Sequence, residues 1–178
     1  PLSLPVRKLS RCIREISCSH YNVSEKRARF MMKTASTRGA SEGILTARYS
    51  YKLAYFLSFQ GLKLQSFKYY KQCFEALLGI VYHIDEDLVD QLKTVAEFAH
   101  FKICSMLLET GSLREAIAQF MIHITTFTKV YSRMIWRHYS WISDQYSIFL
   151  QLLDNYKEVI MKKLIDFDEW CCKSGPGK

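Results

Sequence analysis

Two stretches of this chain, fifty residues apart, carry the same arrangement of side chains. Leu53-Ala54, Leu57, Gly61, Ser66 and Tyr70 stand at the offsets of Ile103-Cys104, Leu107, Gly111, Ala116 and Phe120. In each, a small residue before the glycine precedes a small residue after it by twelve positions: Ala54 and Ser66, then Cys104 and Ala116. Glycine after an apolar-periodic run suits the left-handed residue that ends a helix. Small residues on two consecutive helices let the pair approach closely. In the second stretch, LLETGSLREAIAQF, Ser112 followed by Glu115 has the form of a capping box that opens the next helix. Each stretch is therefore expected to be a helical hairpin.

Ala116 and Phe120 have the A-x3-F spacing that tetratricopeptide-type repeats place on their second helix. The fifty-residue period exceeds the standard unit, so the excess must sit in longer helices and in the acidic IDEDLVD connection. Three prolines and seven glycines leave little punctuation elsewhere. A first helix of about thirty residues is marked by Val6, Leu9, Ile13, Ile16, His20, Val23 and Phe30 in alternating three- and four-residue steps, interrupted at Arg27. It should fade near Thr34 to Gly39. Further helices are expected from Ser41 to about Gln60, then to about Ile84, from Asp85 to Gly111, from Ser112 to about Val130, and from about Trp141 past Tyr156 to about Ile165. The expected fold is all-α: about six helices in antiparallel hairpins, stacked as a short, irregular tetratricopeptide-like α-solenoid. Residues 1–170 should form a single helical-repeat domain and 171–178 a disordered tail. The chain opens on proline and closes on SGPGK, as expected of a piece of something longer.

Charge is uneven. Residues 1–50 hold ten Lys or Arg against three Asp or Glu, which accounts for +7 of the net +8. The basic character thus belongs to the first helix, with Lys26, Arg27, Arg29, Lys33 and Arg38 as its densest run. Such a face is either solvated or meets an acidic subunit or an anionic membrane surface. Nucleic acid is disfavoured, because only Phe30 offers an aromatic platform among those cations. Lys26, Arg27, Arg29 and Lys33 are candidate partner-binding residues. So are Trp136 and Tyr139, which the pattern places in a break between helices, where a polar-flanked aromatic can anchor a partner. Ala54, Gly61, Ser66, Tyr70, Cys104, Gly111, Ala116 and Phe120 are expected to pack the repeats.

No catalytic, metal or cofactor site is expected. Six scattered cysteines, three at apolar helical positions, suit a reduced cytosolic chain; Cys171 and Cys172 are placed at a frayed end. The sequon Asn22-Val23-Ser24 stands without other signs of secretion. His100 and Cys104 lie four apart on one helical face, but a tetrahedral metal needs more ligands and none accompanies them. Asp85, Asp87 and Asp90 lack the glycine and glutamate of a calcium loop. No phosphate-cradling loop or nucleophile elbow is present, and the longest apolar run, Ala76 to Tyr82, is too short to cross a bilayer.

Five short blocks together carry a resemblance: Lys52-Leu53-Ala54-Tyr55-Phe56; Lys68-Tyr69-Tyr70-Lys71; Phe101-Lys102-Ile103-Cys104; Ala116-Ile117-Ala118-Gln119-Phe120 with His123; and Trp141, Ser143, Gln145 and Phe149. In this order, over about residues 45–155, the chain resembles the foie gras domain of a long accessory subunit of the TRAPP vesicle-tethering complex. Residues after about 156 match nothing in that pattern. The resemblance implies a non-catalytic scaffold in transport between endoplasmic reticulum and Golgi and in autophagy. It also implies other TRAPP subunits as partners, no small-molecule substrate, and a cytoplasmic location peripheral to Golgi or intermediate membranes. Two other readings stay open on the residues alone: a free-standing tetratricopeptide-like module that captures an acidic or carboxy-terminal peptide, and a nucleic-acid-binding helical repeat.

Overall fold

The computed structural model describes residues 4–35, 42–131 and 134–173, with side chains for 5–34, 42–131 and 134–165. The described residues are all-helical and divide into two compact units, Pro1–Ile80 and Val81–Lys178.

In the first unit, α1 (Leu4–Ala35) packs on α2 (Glu42–Phe59), and α2 pairs with α3 (Lys63–Ile80). Buried residues of α2 fall at Ala47, Ser50, Leu53, Ala54 and Leu57, and those of α3 at Ser66, Tyr70, Cys73, Phe74 and Leu77. This three- and four-residue spacing gives each helix one apolar stripe, and the two stripes face each other. Only part of α1 is drawn in. Ala28 is buried, Tyr21 stacks on Phe59 at 4.9 Å, and Glu25 accepts from Arg29 at 2.6 Å and from Gln60 at 3.1 Å. The seam read from the sequence lies on another face: Val6, Leu9, Ile13, Ile16, Val23 and Phe30 are all exposed. Arg38 lies outside the described residues.

In the second unit a short 3-10 turn (Glu86–Leu88) leads into α4 (Val89–Glu109), followed by α5 (Leu113–Phe127), α6 (Ile135–Asn155) and α7 (Lys157–Lys173). The acidic residues expected to open a helix at Asp85 instead form that turn, and α3 stops at Ile80, short of the expected Ile84. The expected sixth helix differs at both ends. It begins at Ile135, six residues before Trp141, and breaks at Tyr156, whose amide bonds the Leu153 carbonyl. The break has a tertiary cause: the Tyr156 hydroxyl lies 2.9 Å from Ser105 Oγ on α4, and α7 then packs Ile160 against Leu108 and Ala116. Helix α7 reaches Lys173, beyond the start of the expected tail; 174–178 lie outside the described residues.

The two hairpins share the two hydrogen bonds that close their turn. Gly61 and Gly111 adopt φ of 76° and 73°. The amides of Leu62 and Ser112 bond the carbonyls of Leu57 and Leu107, and the glycine amides bond those of Ser58 and Leu108. This is the Schellman ending, which needs a left-handed residue and therefore favours glycine. The expected capping box is not formed: Ser112 Oγ makes no cap hydrogen bond and lies 3.2 Å from Thr110 Oγ1. Its amide is already committed to the turn.

The twelve-residue offset is a real contact in both hairpins. Ser66 Oγ donates to the Ala54 carbonyl at 2.7 Å, and Cys104 Sγ donates to the Ala116 carbonyl at 3.6 Å. All four residues are fully buried. A small polar side chain on one helix thus reaches the backbone of the other, in opposite directions in the two hairpins. The Cα-to-backbone approach this requires leaves no room for a larger pair.

Candidate interaction surfaces and the buried frame behind them

The chemistry-bearing side chains of the second unit converge indoors. From α4 come Lys93, Glu97, His100 and Cys104, from α5 His123, and from α6 His138, Trp141 and Gln145. Glu97 accepts from Gln145 Nε2 at 3.0 Å and from Trp141 Nε1 at 3.2 Å. With its amide so committed, Gln145 presents Oε1 to His123 Nε2 at 3.2 Å, which places the proton on that nitrogen. His123 stacks on His100 with centroids 4.2 Å apart and planes 2° from parallel. Lys93 is only 2% exposed; its ammonium sits 3.1 Å from His138 Nδ1 and 4.7 Å from the centre of the Trp141 ring.

Burial sets the protonation of this frame. It pushes His100 down to about 2, reinforced by His123, and His123 down to about 4, against its own hydrogen bond to Gln145 and with help from Lys93. Burial lowers Lys93 to about 8, opposed by Asp90. His138 is lowered by burial and then by Lys93. The Cys104 thiol is pushed up to about 12, also by burial. His100 and Cys104 are in contact, 3.6 Å from Nδ1 to Sγ, and both are closed to solvent. These groups tie three helices together, and burial holds the His100 and His123 rings and the Cys104 thiol neutral. Phe149 and Phe120 continue the frame as a parallel pair at 4.1 Å.

The outer faces are different in kind. On α1, Lys26, Arg27 and Lys33 are exposed, whereas Arg29 is tied inward: its guanidinium donates to Glu25 and, at 2.6 Å, to the Tyr69 hydroxyl of α3. Arg29 therefore fastens α1 to the hairpin. Trp136 and Tyr139 do not lie in a break. They occupy the first turns of α6, 67% and 61% exposed, while His138 between them points into the frame. A groove of about 420 Å³ runs between α1 and α2, lined by Ser24, Arg27 and Met31 on one side and Arg48, Tyr49, Lys52 and Phe56 on the other. Sequence reading missed Arg48 and Lys52, because only the pairing of the two helices brings them beside Arg27. It also missed Lys93 and Glu97, whose type argues for an exposed face. The repeat positions Ala54, Ser66, Tyr70, Cys104, Ala116 and Phe120 are all buried, and Gly61 and Gly111 form the turns.

The described residues define an all-α protein with a helical hairpin in each unit and a polar frame between α4, α5 and α6 of the second. Residues 89–167, which span α4, α5, α6 and most of α7, match the family described as Foie gras liver health family 1. The match runs past residue 156, where the sequence pattern gave no resemblance, and begins at Val89, after the first hairpin. Among curated proteins the chain is similar to trafficking protein particle complex subunit 11 of Bos taurus, Gallus gallus and Homo sapiens. Each is 27% identical over 113 residues, which is 62% of this chain and 10% of the relative. The chain thus spans about a tenth of the length of these relatives. Of the residues that carried the resemblance in the second unit, Cys104, Phe120, His123, Trp141, Gln145 and Phe149 belong to the frame. No helix among the described residues is long and apolar enough to cross a membrane.

Proposed function

We propose that this chain is a non-catalytic interaction scaffold, a piece of a TRAPP-type vesicle-tethering subunit that binds other TRAPP subunits. It serves transport between endoplasmic reticulum and Golgi, and autophagy, from the cytoplasmic side of those membranes. Its helical hairpins are of the tetratricopeptide-like kind from which short, irregular α-solenoids are built. The observation that carries this reading is the division of labour in the second unit. The polar and titratable side chains where α4, α5 and α6 meet are spent on a largely buried frame, so the outer helix faces are what is left to meet a partner. Docking falls to Lys26, Arg27 and Lys33 on α1 and to Trp136 and Tyr139 on α6, with Arg29 holding α1 in place. The likeness in name of the relatives supplies the complex to test.

The test is capture of TRAPP subunits from cytosol on the immobilised chain, with quantitative mass spectrometry. Wild type is compared with Lys26→Glu/Arg27→Glu and with Trp136→Ala/Tyr139→Ala, after circular dichroism shows equal helicity. TRAPP subunits should be enriched on wild type and depleted on at least one variant. A folded wild-type chain that retrieves none of them overturns the proposal.

A further inference from the structure

The exposed face of α1 has a period that its burial does not explain. Val6, Ile13, His20 and Arg27 fall at one heptad position and Leu9, Ile16, Val23 and Phe30 at another, a three-four alternation that is apolar at both positions as far as Ile16 and carries His20 and Arg27 at the first position beyond it. A repeat of 3.5 residues with only two apolar positions per heptad is the narrow seam of a coiled coil, not the broad face of a helix lying on a core. Yet the helix packs on the hairpin through Tyr21, Glu25, Ala28 and Arg29, and the seam stays in solvent. Near Arg27 the seam opens into the groove between α1 and α2. Ser24 and Met31, which border the seam, form one wall, and Arg48 and Lys52 stand opposite. Arg27 and Arg48 make no hydrogen bond or ion pair to any described residue, and no acidic side chain lines the groove.

We propose that this seam and groove bind an acidic amphipathic helix from a partner protein. Its apolar residues lie along Leu9, Ile13, Ile16, Val23 and Phe30, and its flanking carboxylates meet Arg27, Arg48 and Lys52. Charge decides among occupants. A second copy of α1 would set Lys26 and Arg27 against their like in a segment that already holds +7. A membrane surface favours a wide apolar face with aromatic residues, but here Ser10, Ser17 and Ser24 border the seam at every heptad, leaving it narrow and closely approachable. Carboxylates on a helix of matching period answer both the apolar spacing and the unpaired cations. This inference deepens the scaffold reading by giving the chemistry of one partner, and rests on it for its biological setting only.

The probe is a synthetic helical peptide of about four heptads with isoleucine and leucine at the two seam positions and glutamate on both flanks. A matched peptide carries lysine on the flanks. Affinity for the whole chain is read by fluorescence anisotropy at about 0.15 M salt. The glutamate peptide should bind and the lysine peptide should not. Arg27→Glu/Arg48→Glu/Lys52→Glu should weaken binding at least tenfold, Ile16→Asp should do the same, and Arg27→Lys should retain it. All these positions are exposed, so helicity and unfolding midpoint should be unchanged and serve as the folding control. Equal binding of both peptides, no binding of either, or indifference to the triple reversal overturns the proposal. So does recruitment to phosphatidylserine vesicles with the same sensitivity to substitution, in the absence of peptide binding. If the peptide fails while TRAPP subunits are still captured, the docking chemistry falls alone. If the peptide binds and capture fails, the seam stands and the scaffold reading falls.

Discussion

Acid should unfold the second unit well before it unfolds the first, and the stacked histidines set the scale. His100 and His123 stay neutral in the fold down to about 2 and about 4, whereas in the unfolded chain each protonates near 6.5. Because the unfolded state binds more protons in between, stability is complete above about pH 7 and falls as pH drops through 6.5 towards the folded values. Each such group costs about 1.4 kcal/mol per pH unit in that window, so from pH 6.5 to 4.5 the pair removes roughly 5 kcal/mol. That is comparable to the whole stability of many small domains. His138, lowered in the same direction, adds to the loss. The assay is built into the sequence: Trp136, Trp141 and Trp170 all lie in the second unit, so tryptophan fluorescence follows that unit alone. Urea unfolding at a series of pH values should show a fluorescence midpoint falling steeply below pH 6.5. The part of the circular dichroism change without a fluorescence counterpart should move far less, since the first unit has only the exposed His20. His123→Gln should flatten the slope by about half. A fluorescence midpoint that is level between pH 6.5 and 4.5 would refute the argument that these rings are held neutral by burial.

Glu97→Ala strands the Gln145 amide indoors and removes the Trp141 bond, so the fluorescence-detected stability should drop by about 2–3 kcal/mol in urea titration, while Glu97→Gln should lose less. Gly61→Ala and Gly111→Ala each force alanine into left-handed backbone at a cost of about 1–2 kcal/mol. The first should lower only the tryptophan-silent transition. The second should lower the fluorescence transition and cost more, because a Cβ there would sit 2.5 Å from Lys163 Cγ. Thiol labelling of the native chain, mapped by mass spectrometry, should modify exposed Cys12 quickly. Cys73 and Cys104, each buried and pushed up to about 12, should react only on unfolding.

Local chemistry was legible and tertiary chemistry was not. The turns could be read because only a left-handed residue ends a helix in that way, and glycine marks it at Gly61 and Gly111. The twelve-residue offset could be read because close approach demands small residues, and Ser66 and Cys104 are small. The seam of α1 was visible as a period, but period alone says nothing about whether a stripe is covered, and this one is not. The start of α6 was misplaced because Trp136 and Tyr139 look like a polar-aromatic break when the buried partner of His138, Lys93, lies 45 residues away. The split at Tyr156 likewise depends on Ser105, and the inward turn of Arg29 on Tyr69. No window of sequence contains those pairs.

In the proposed reading the chain holds partners on its outer faces, and the buried side chains of α4, α5 and α6 support them. The most direct measurement is hydrogen exchange of the purified chain alone and in complex with purified TRAPP subunits, resolved by peptide. Binding should slow exchange in peptides covering α1, the exposed side of α2 or the start of α6, and leave the already slow interior of α4 and α5 unchanged. Protection confined to peptides carrying His100, Cys104 and His123, or no complex formed by the folded chain, would contradict it.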